Sequence, residues 1–191
     1  RAVPMTQGEA LVHAGFFVGN VEFYRVLREM PRAERARIAM SPISYTNTLL
    51  GDEVRKRRER REARFVNTAL TVTMLGAVSS DALEDGRVVS GVGGQHDLVA
   101  QSRELAGARS IIVVRATRRH RRRTTSNIVW SYGNATVTRS LRDIVVSEYG
   151  IADIRGRSDR DCVAATLAIA DATFQPGLQR QAEAAGKIER G

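Results

Sequence analysis

Two short stretches carry the residue types from which a chemical site can be built. Ser90-Gly91-Val92-Gly93-Gly94-Gln95 puts three glycines in four residues between a strand-like run and a helical pattern. Glycines let backbone N–H groups approach an anion closely, and a helix N-terminus favours negative charge. The stretch therefore reads as a phosphate site or an oxyanion hole, or as a plain strand-to-helix turn that needs φ > 0. It is neither a GxGxxG fingerprint nor a P-loop, because no Lys-Ser/Thr follows it. The second stretch is Ser147-Glu148-Tyr149-Gly150-Ile151-Ala152-Asp153-Ile154-Arg155-Gly156, in which Glu148 ends the apolar run Ile144-Val145-Val146. Ligands of open α/β sheets gather at the carboxyl ends of strands. A carboxylate there can orient a reacting group, or it can form a structural ion pair with Arg155.

Other candidates are weaker. Tyr45-Thr46-Asn47 and Val66-Asn67-Thr68 offer amides that orient ligands but also build turns. His13, His96 and His120 share no metal-ligand spacing, and no Gly-x-Ser-x-Gly elbow occurs. Cys162 is the single cysteine, which excludes an internal disulfide and a cysteine zinc cluster; inside a helical pattern it reads as a small buried apolar residue.

The chain has 191 residues and a net charge of +9, with 42% hydrophobic residues. That is enough apolar content for a packed core and argues against disorder. No window approaches the roughly 18 apolar residues of a membrane span, and no signal-peptide pattern opens the sequence. The basic excess is local. Arg55 to Arg64 holds seven basic residues against two acidic ones, and Arg115 to Arg123 holds six arginines and no acid. Such clusters can neutralise phosphates, but they interleave no aromatics and accompany no nucleic-acid-binding signature. The first run reads as a solvated helix or loop. The second can meet the phosphates of a nucleotide-like cofactor.

Elements must hold these residues in place. Ala10 to Phe17 reads as a strand, Val21 to Met30 as a helix stopped by Pro31, Arg32 to Arg37 as a short helix, and Ile38 to Leu50 as strand and loop. Further strands are expected at Leu70 to Leu75, Arg87 to Ser90, Ser110 to Val114, Asn127 to Trp130, Ala135 to Thr138 and Asp143 to Ser147. Helices are expected at Gln95 to Leu105, Asp161 to Ala172 and Phe174 to Lys187. The alternation suggests an α/β fold with a mixed, largely parallel sheet and some antiparallel pairs.

Taken in order, several segments resemble the C-terminal domain of the acetyl-CoA hydrolase/transferase family. They are Tyr45-Thr46-Asn47, Asn67-Thr68-Ala69-Leu70, the glycine stretch with Asp97, Ser110-Ile111-Ile112, Ser126-Asn127-Ile128-Val129, and Ser147 to Gly156. The resemblance runs from about Ala10 to Gln179 and assigns residues 1–191 to that domain. It implies a CoA-transferase-like (NagB/RpiA-like) layered α/β fold. It also implies covalent catalysis by a glutamate that attacks the acyl-CoA thioester. The family's nucleophile lies upstream of Ala10 to Phe17, and nothing in this chain matches its motif. The chain, which opens on Arg1 rather than Met, is accordingly expected to be part of a longer enzyme and inactive alone.

By the same resemblance, Ser90, Gly91, Gly93 and Gly94 would face the CoA thioester. Glu148 would hold the polar network beside the missing glutamate, Asn47 would lie near the reacting carbonyl, and Ala69 and Arg119 would contact CoA. The implied substrates are an acyl-CoA and a small carboxylate or water. Coenzyme A is thus substrate rather than resident group, and no metal is implied. The expected partners are the N-terminal half of the same enzyme and further copies in a homo-oligomer, in the cytoplasm, with nucleic acid not expected. The rival reading is a basic module for nucleic acid or another polyanion on the same fold.

Overall fold

The computed structural model describes residues 10–189, so the ends of the expected domain lie outside the described residues. The chain divides into two compact units, Arg1–Val54 and Arg55–Gly191.

The first unit is a small βαβ arrangement. Strand β1 (Val12–Ala14) is followed by helices α1 (Val21–Glu29) and α2 (Arg32–Arg35) and by strand β2 (Ile38–Met40). The two strands pair in parallel, Val12 opposite Ile38. Asn20 caps α1 by accepting the Phe23 N–H at 2.9 Å, which satisfies one of the helix's free amides. Helix α3 (Ile43–Asn47) follows Pro42. Of the stretch Ile38 to Leu50 read as strand and loop, β2 is the strand and α3 stands where the loop was expected, because Pro42 at the N-terminal boundary of a helix costs no hydrogen bond.

The second unit begins in helix α4 (Glu53–Glu59). Strands β3 (Arg64–Thr68), β4 (Thr71–Thr73) and β5 (Val78–Ser79) come next, then helix α5 (Gln95–Glu104). Strand β6 (Arg109–Val113), the β7 (Thr117–His120) and β8 (Arg123–Ser126) hairpin and β9 (Ile128–Val129) follow. Strands β10 (Ile144–Ser147) and β11 (Gly150–Asp153) and helices α6 (Asp159–Ala168) and α7 (Gln175–Ala184) complete the unit. The main sheet has the order β11-β10-β6-β3. Strands β3, β6 and β10 run parallel and β11 returns antiparallel. A second sheet, β5-β4-β9, combines one antiparallel and one parallel pair. The mixed α/β architecture expected from the sequence is the one observed.

Several local expectations need correction. Arg87 to Ser90 and Ala135 to Thr138 form no strands; each contributes only an isolated bridge, Ala82 with Val88 and Val78 with Val137. Strand β3 begins at the last residue of the charged run, Arg64, in a segment to which no strand was assigned, and β11 follows Glu148-Tyr149 directly. The arginine run at 115–123 is largely a β-hairpin, turned at Arg121 with φ 53°. The run at 55–64 is helical only to Glu59, then turns into β3 at Arg64; its helix is held to α5, with Arg57 Nη1 donating to the Glu104 carbonyl at 2.8 Å and Lys56 buried. Cys162 is free and buried, as read from its pattern.

The core fills the space beneath one face of the main sheet. Val72, Met74, Val99, Ile128, Ile154 and Val163 are among its fully buried residues. At the amino ends of the strands, buried Asp143 accepts Arg109 Nε at 2.8 Å and the Ser110 N–H at 2.7 Å. It also accepts Arg155 Nη2, and Arg109 reaches Asp153 at 2.7 Å. These bonds tie β6, β10 and β11 together at the end opposite Glu148.

Candidate functional site at the carboxyl ends of the parallel strands

Parallel strands deliver their C-termini to one edge, and here three of them do so. Strand β10 ends at Ser147, so Glu148 stands at that edge, exposed. Its Oε2 accepts a hydrogen bond from the Ala116 backbone N–H at 2.8 Å. Ala116 is fully buried just past the end of β6. Arg155 is therefore not the partner of Glu148: it pairs with Asp143 at the other end of the sheet. Ser147 anchors the turn from beneath by donating from Oγ to the Ile169 carbonyl at 2.6 Å. Tyr149 donates its hydroxyl to Asp171 at 2.6 Å, and that bond raises the phenol's pKa and lowers the carboxyl's.

The glycine turn reaches the same edge through α5. Gln95, the first residue of that helix, donates from Nε2 to the Thr68 carbonyl at the end of β3, 3.1 Å away. Ala69, the next residue, is buried and its N–H bonds to the Val113 carbonyl of β6 at 2.9 Å. Gly94 is the N-cap of α5 and provides no side-chain cap, so the amides of the helix's first turn lack that acceptor. Of the turn's glycines, Gly93 alone has a positive φ, 61°. A Cβ at Gly91 or Gly93 would meet nothing within 4 Å. The turn is thus open, and local packing does not account for the glycine at 91. Ser90 is exposed, with its Oγ donating to the Gly91 carbonyl at 3.2 Å.

Three amides at this edge retain unpaired buried atoms: Asn67 Nδ2, Gln95 Oε1 and Asn127 Oδ1. Asn127 is fixed by donation from Nδ2 to the Arg115 carbonyl at 2.9 Å, one residue before Ala116. Gln95 and Asn127 stood inside the sequence motifs without being singled out. Burial beside a strand end marks them, and linear spacing gave no sign of it.

The remaining sequence candidates sit elsewhere. Arg119 is exposed on β7, in the hairpin that leaves the end of β6. Asn47 belongs to the first unit, where it ends α3 and its Oδ1 accepts the Thr46 hydroxyl at 3.3 Å. A separate cleft of about 380 Å³ beside α7, lined by Trp130, Phe174 and Leu178, contains none of the candidate residues. Among the described residues no cluster of three or more His, Cys, Asp or Glu side chains could hold a metal ion. None of the described helices is long and apolar enough to cross a membrane.

Comparison with known proteins gives the chain's relatives. The chain is 29% identical over 178 residues to the succinyl-CoA:cyclohexane-1-carboxylate CoA transferase of Geobacter metallireducens, covering 92% of this chain and 38% of that protein. It is 29% identical over 117 residues to the 4-hydroxybutyrate coenzyme A transferase of Clostridium kluyveri, covering 61% of this chain and 27% of that protein. Among solved structures, a mutant of RipA superimposes with a TM-score of 0.74 at 25% identity, over 89% of this chain and 36% of RipA. The 4-hydroxybutyrate CoA-transferase of Porphyromonas gingivalis superimposes with a TM-score of 0.60 at 25% identity, over 78% of this chain and 32% of that protein. The chain thus spans well under half the length of these relatives. The acetyl-CoA hydrolase/transferase C-terminal domain matches residues 19–182, and the chain belongs to that family.

Proposed function

We propose that this chain is the C-terminal part of an acyl-CoA transferase or acyl-CoA hydrolase, and that it supplies the supporting half of a CoA thioester site. The observation that carries the reading is the shared strand edge. There a carboxylate held by a backbone amide, Glu148 on Ala116, follows β10, and an uncapped helix N-terminus preceded by glycines meets the end of β3, the two parallel strands on either side of β6. Backbone donors of this kind stabilise the oxyanion that develops when a thioester carbonyl is attacked.

In this reading a glutamate outside the chain attacks the acyl-CoA carbonyl. The C–S bond breaks, CoA leaves as the thiolate, and a mixed anhydride remains. The thiolate then attacks the glutamyl carbonyl, releasing the first carboxylate and leaving a glutamyl-CoA thioester for the acceptor carboxylate, or for water in a hydrolase. Ser90, Gly91, Gly93 and Gly94 line the path of the thioester. Glu148 orients the polar groups around the nucleophile, Asn47 approaches the reacting carbonyl, and Ala69 borders the pantetheine arm. Arg119, exposed on a hairpin rich in arginine, meets the phosphates of CoA. The partners are an acyl-CoA, a small carboxylate or water, the N-terminal half of the enzyme, and further copies of the subunit.

The test is acyl exchange between an acyl-CoA and acetate in a polypeptide that includes the upstream half. Glu148→Ala and Gly94→Val should each lower turnover at least about tenfold while the 191-residue chain alone stays silent. Wild-type rates in both variants would remove the site assignment. The exposed hairpin arginines also suit a polyanion. A salt titration with duplex DNA and with CoA decides between them: duplex affinity that exceeds CoA affinity and falls steeply with salt would favour the polyanion.

A further inference from the structure

The runs Ile111-Ile112-Val113 and Ile144-Val145-Val146 carry aliphatic residues on both faces of their strands, because side chains alternate along a strand. One face is packed: Ile112, Val145 and Ala152 join a single buried cluster with Val99 of α5 and Cys162 and Val163 of α6. Among the described residues of the second unit, no such cluster lies on the other face. The register lays it out in two rows across the sheet. Val66, Ile111 and Ile144 form the first, and Val113, Val146 and Ile151 form the second. The outer residues are well exposed, Val66 at 62% and Ile151 at 72%. Strands that run parallel occur almost only in sheets covered on both faces.

We propose that this bare face is covered by an apolar helical layer belonging to the remainder of a longer polypeptide, of which this chain is one part. The inference rests on the reading of the chain as the C-terminal part of an enzyme. The relatives have the length to supply the cover, since this chain corresponds to 38% of the Geobacter protein. Size argues for a tethered occupant. Six positions, with strands about 4.8 Å apart and rows about 6.8 Å apart, make a patch of roughly 200 Å². Separate molecules need about 800 Å² each for a stable interface. A covalently linked segment needs less, because its effective concentration is on the order of millimolar.

Thiol accessibility tests this directly, since Cys162, the native cysteine, is buried. Val66→Cys and Ile151→Cys are made in the 191-residue chain and in the longer polypeptide, with Gln179→Cys on α7 as an exposed control. Maleimide labelling is followed by peptide mass spectrometry. The expected result is labelling at 66 and 151 at least about tenfold slower in the longer polypeptide than in the 191-residue chain, with the control equal in both. Equal rates in both forms overturn the proposal. Protection already present in the 191-residue chain also overturns it, whether it grows with concentration, as for a second copy, or does not, as for cover from within the chain. Acyl-exchange activity of the longer polypeptide is read separately: activity with an unprotected face sinks this inference alone, and a protected face without activity sinks only the enzymatic reading.

Discussion

The Glu148 carboxylate accepts the backbone N–H of Ala116 at 2.8 Å, joining the end of β10 to the chain just beyond β6. Ala116 is fully buried, so removing the carboxylate takes away the acceptor of a buried amide. Glu148→Ala should therefore destabilise the chain by about 1–3 kcal/mol, the cost of an unsatisfied buried donor. Glu148→Gln keeps an acceptor oxygen and should cost under about 1 kcal/mol, yet lower acyl exchange as strongly as the alanine variant if the charge is what orients the site. Thermal unfolding and turnover, measured on both variants, separate the two roles.

Asp143 is buried and gathers Arg109, Arg155 and the Ser110 N–H at the amino end of the sheet. Removing one partner of a buried ionic network costs about 3–5 kcal/mol. Asp143→Ala should lower the urea midpoint accordingly. An unchanged midpoint would mean that the network contributes little to holding β6, β10 and β11 together.

Gly93 and Gly91 are expected to differ. Gly93 has φ 61° and open space around it, so Gly93→Ala should cost about 1 kcal/mol through backbone strain alone. Gly91→Ala, with open space and no positive φ, should leave unfolding unchanged within about 0.5 kcal/mol. A loss of acyl exchange in Gly91→Ala would then report a ligand's approach.

Acid should weaken the attachment of the chain's end to α6. The Lys187 ammonium, 2.7 Å from Asp159, lowers that carboxyl's pKa, with Arg142 adding to the effect and burial opposing it. A carboxyl whose pKa is depressed on folding stabilises above its unfolded value, near 4, and loses that stabilisation as pH falls through the folded value. Being partly exposed, the pair is worth at most about 1 kcal/mol. Melting temperatures from pH 5 to pH 2 should fall less in Asp159→Asn than in the parent; identical slopes would refute the contribution.

Cys162 lies fully buried in α6, and burial raises its thiol pKa. Both effects suppress the thiolate. A disulfide exchange reagent at pH 8 should react only as fast as the chain unfolds, and immediate reaction would show that α6 opens locally.

The sequence by itself determined the α/β class, the helix after the glycine turn, the buried strand at Ser110 to Val114 and the place of Glu148 after an apolar run. Each follows from a local signal: period, turn residues, or a run of β-branched side chains. It did not reveal β3, a five-residue mix of polar and apolar types directly after a charged run, nor the hairpin at 117–126, whose polar residues pair with one another rather than with a core. Neither strand has an apolar signature because what stabilises it is pairing with a partner distant in sequence or across a turn. Tertiary structure also decided the partners of charge. Arg155 is near Glu148 in sequence, yet the antiparallel return of β11 carries it to the opposite end of the sheet, to Asp143. Glu148 is left to the Ala116 amide, 32 residues away. Helix α5, too, reaches the strand edge only through Gln95 and the Thr68 carbonyl, a contact set by how the helix crosses the sheet. Local sequence chooses the elements because backbone preference is local. The site arises where strand ends adjoin, and only the order and direction of the strands can fix that.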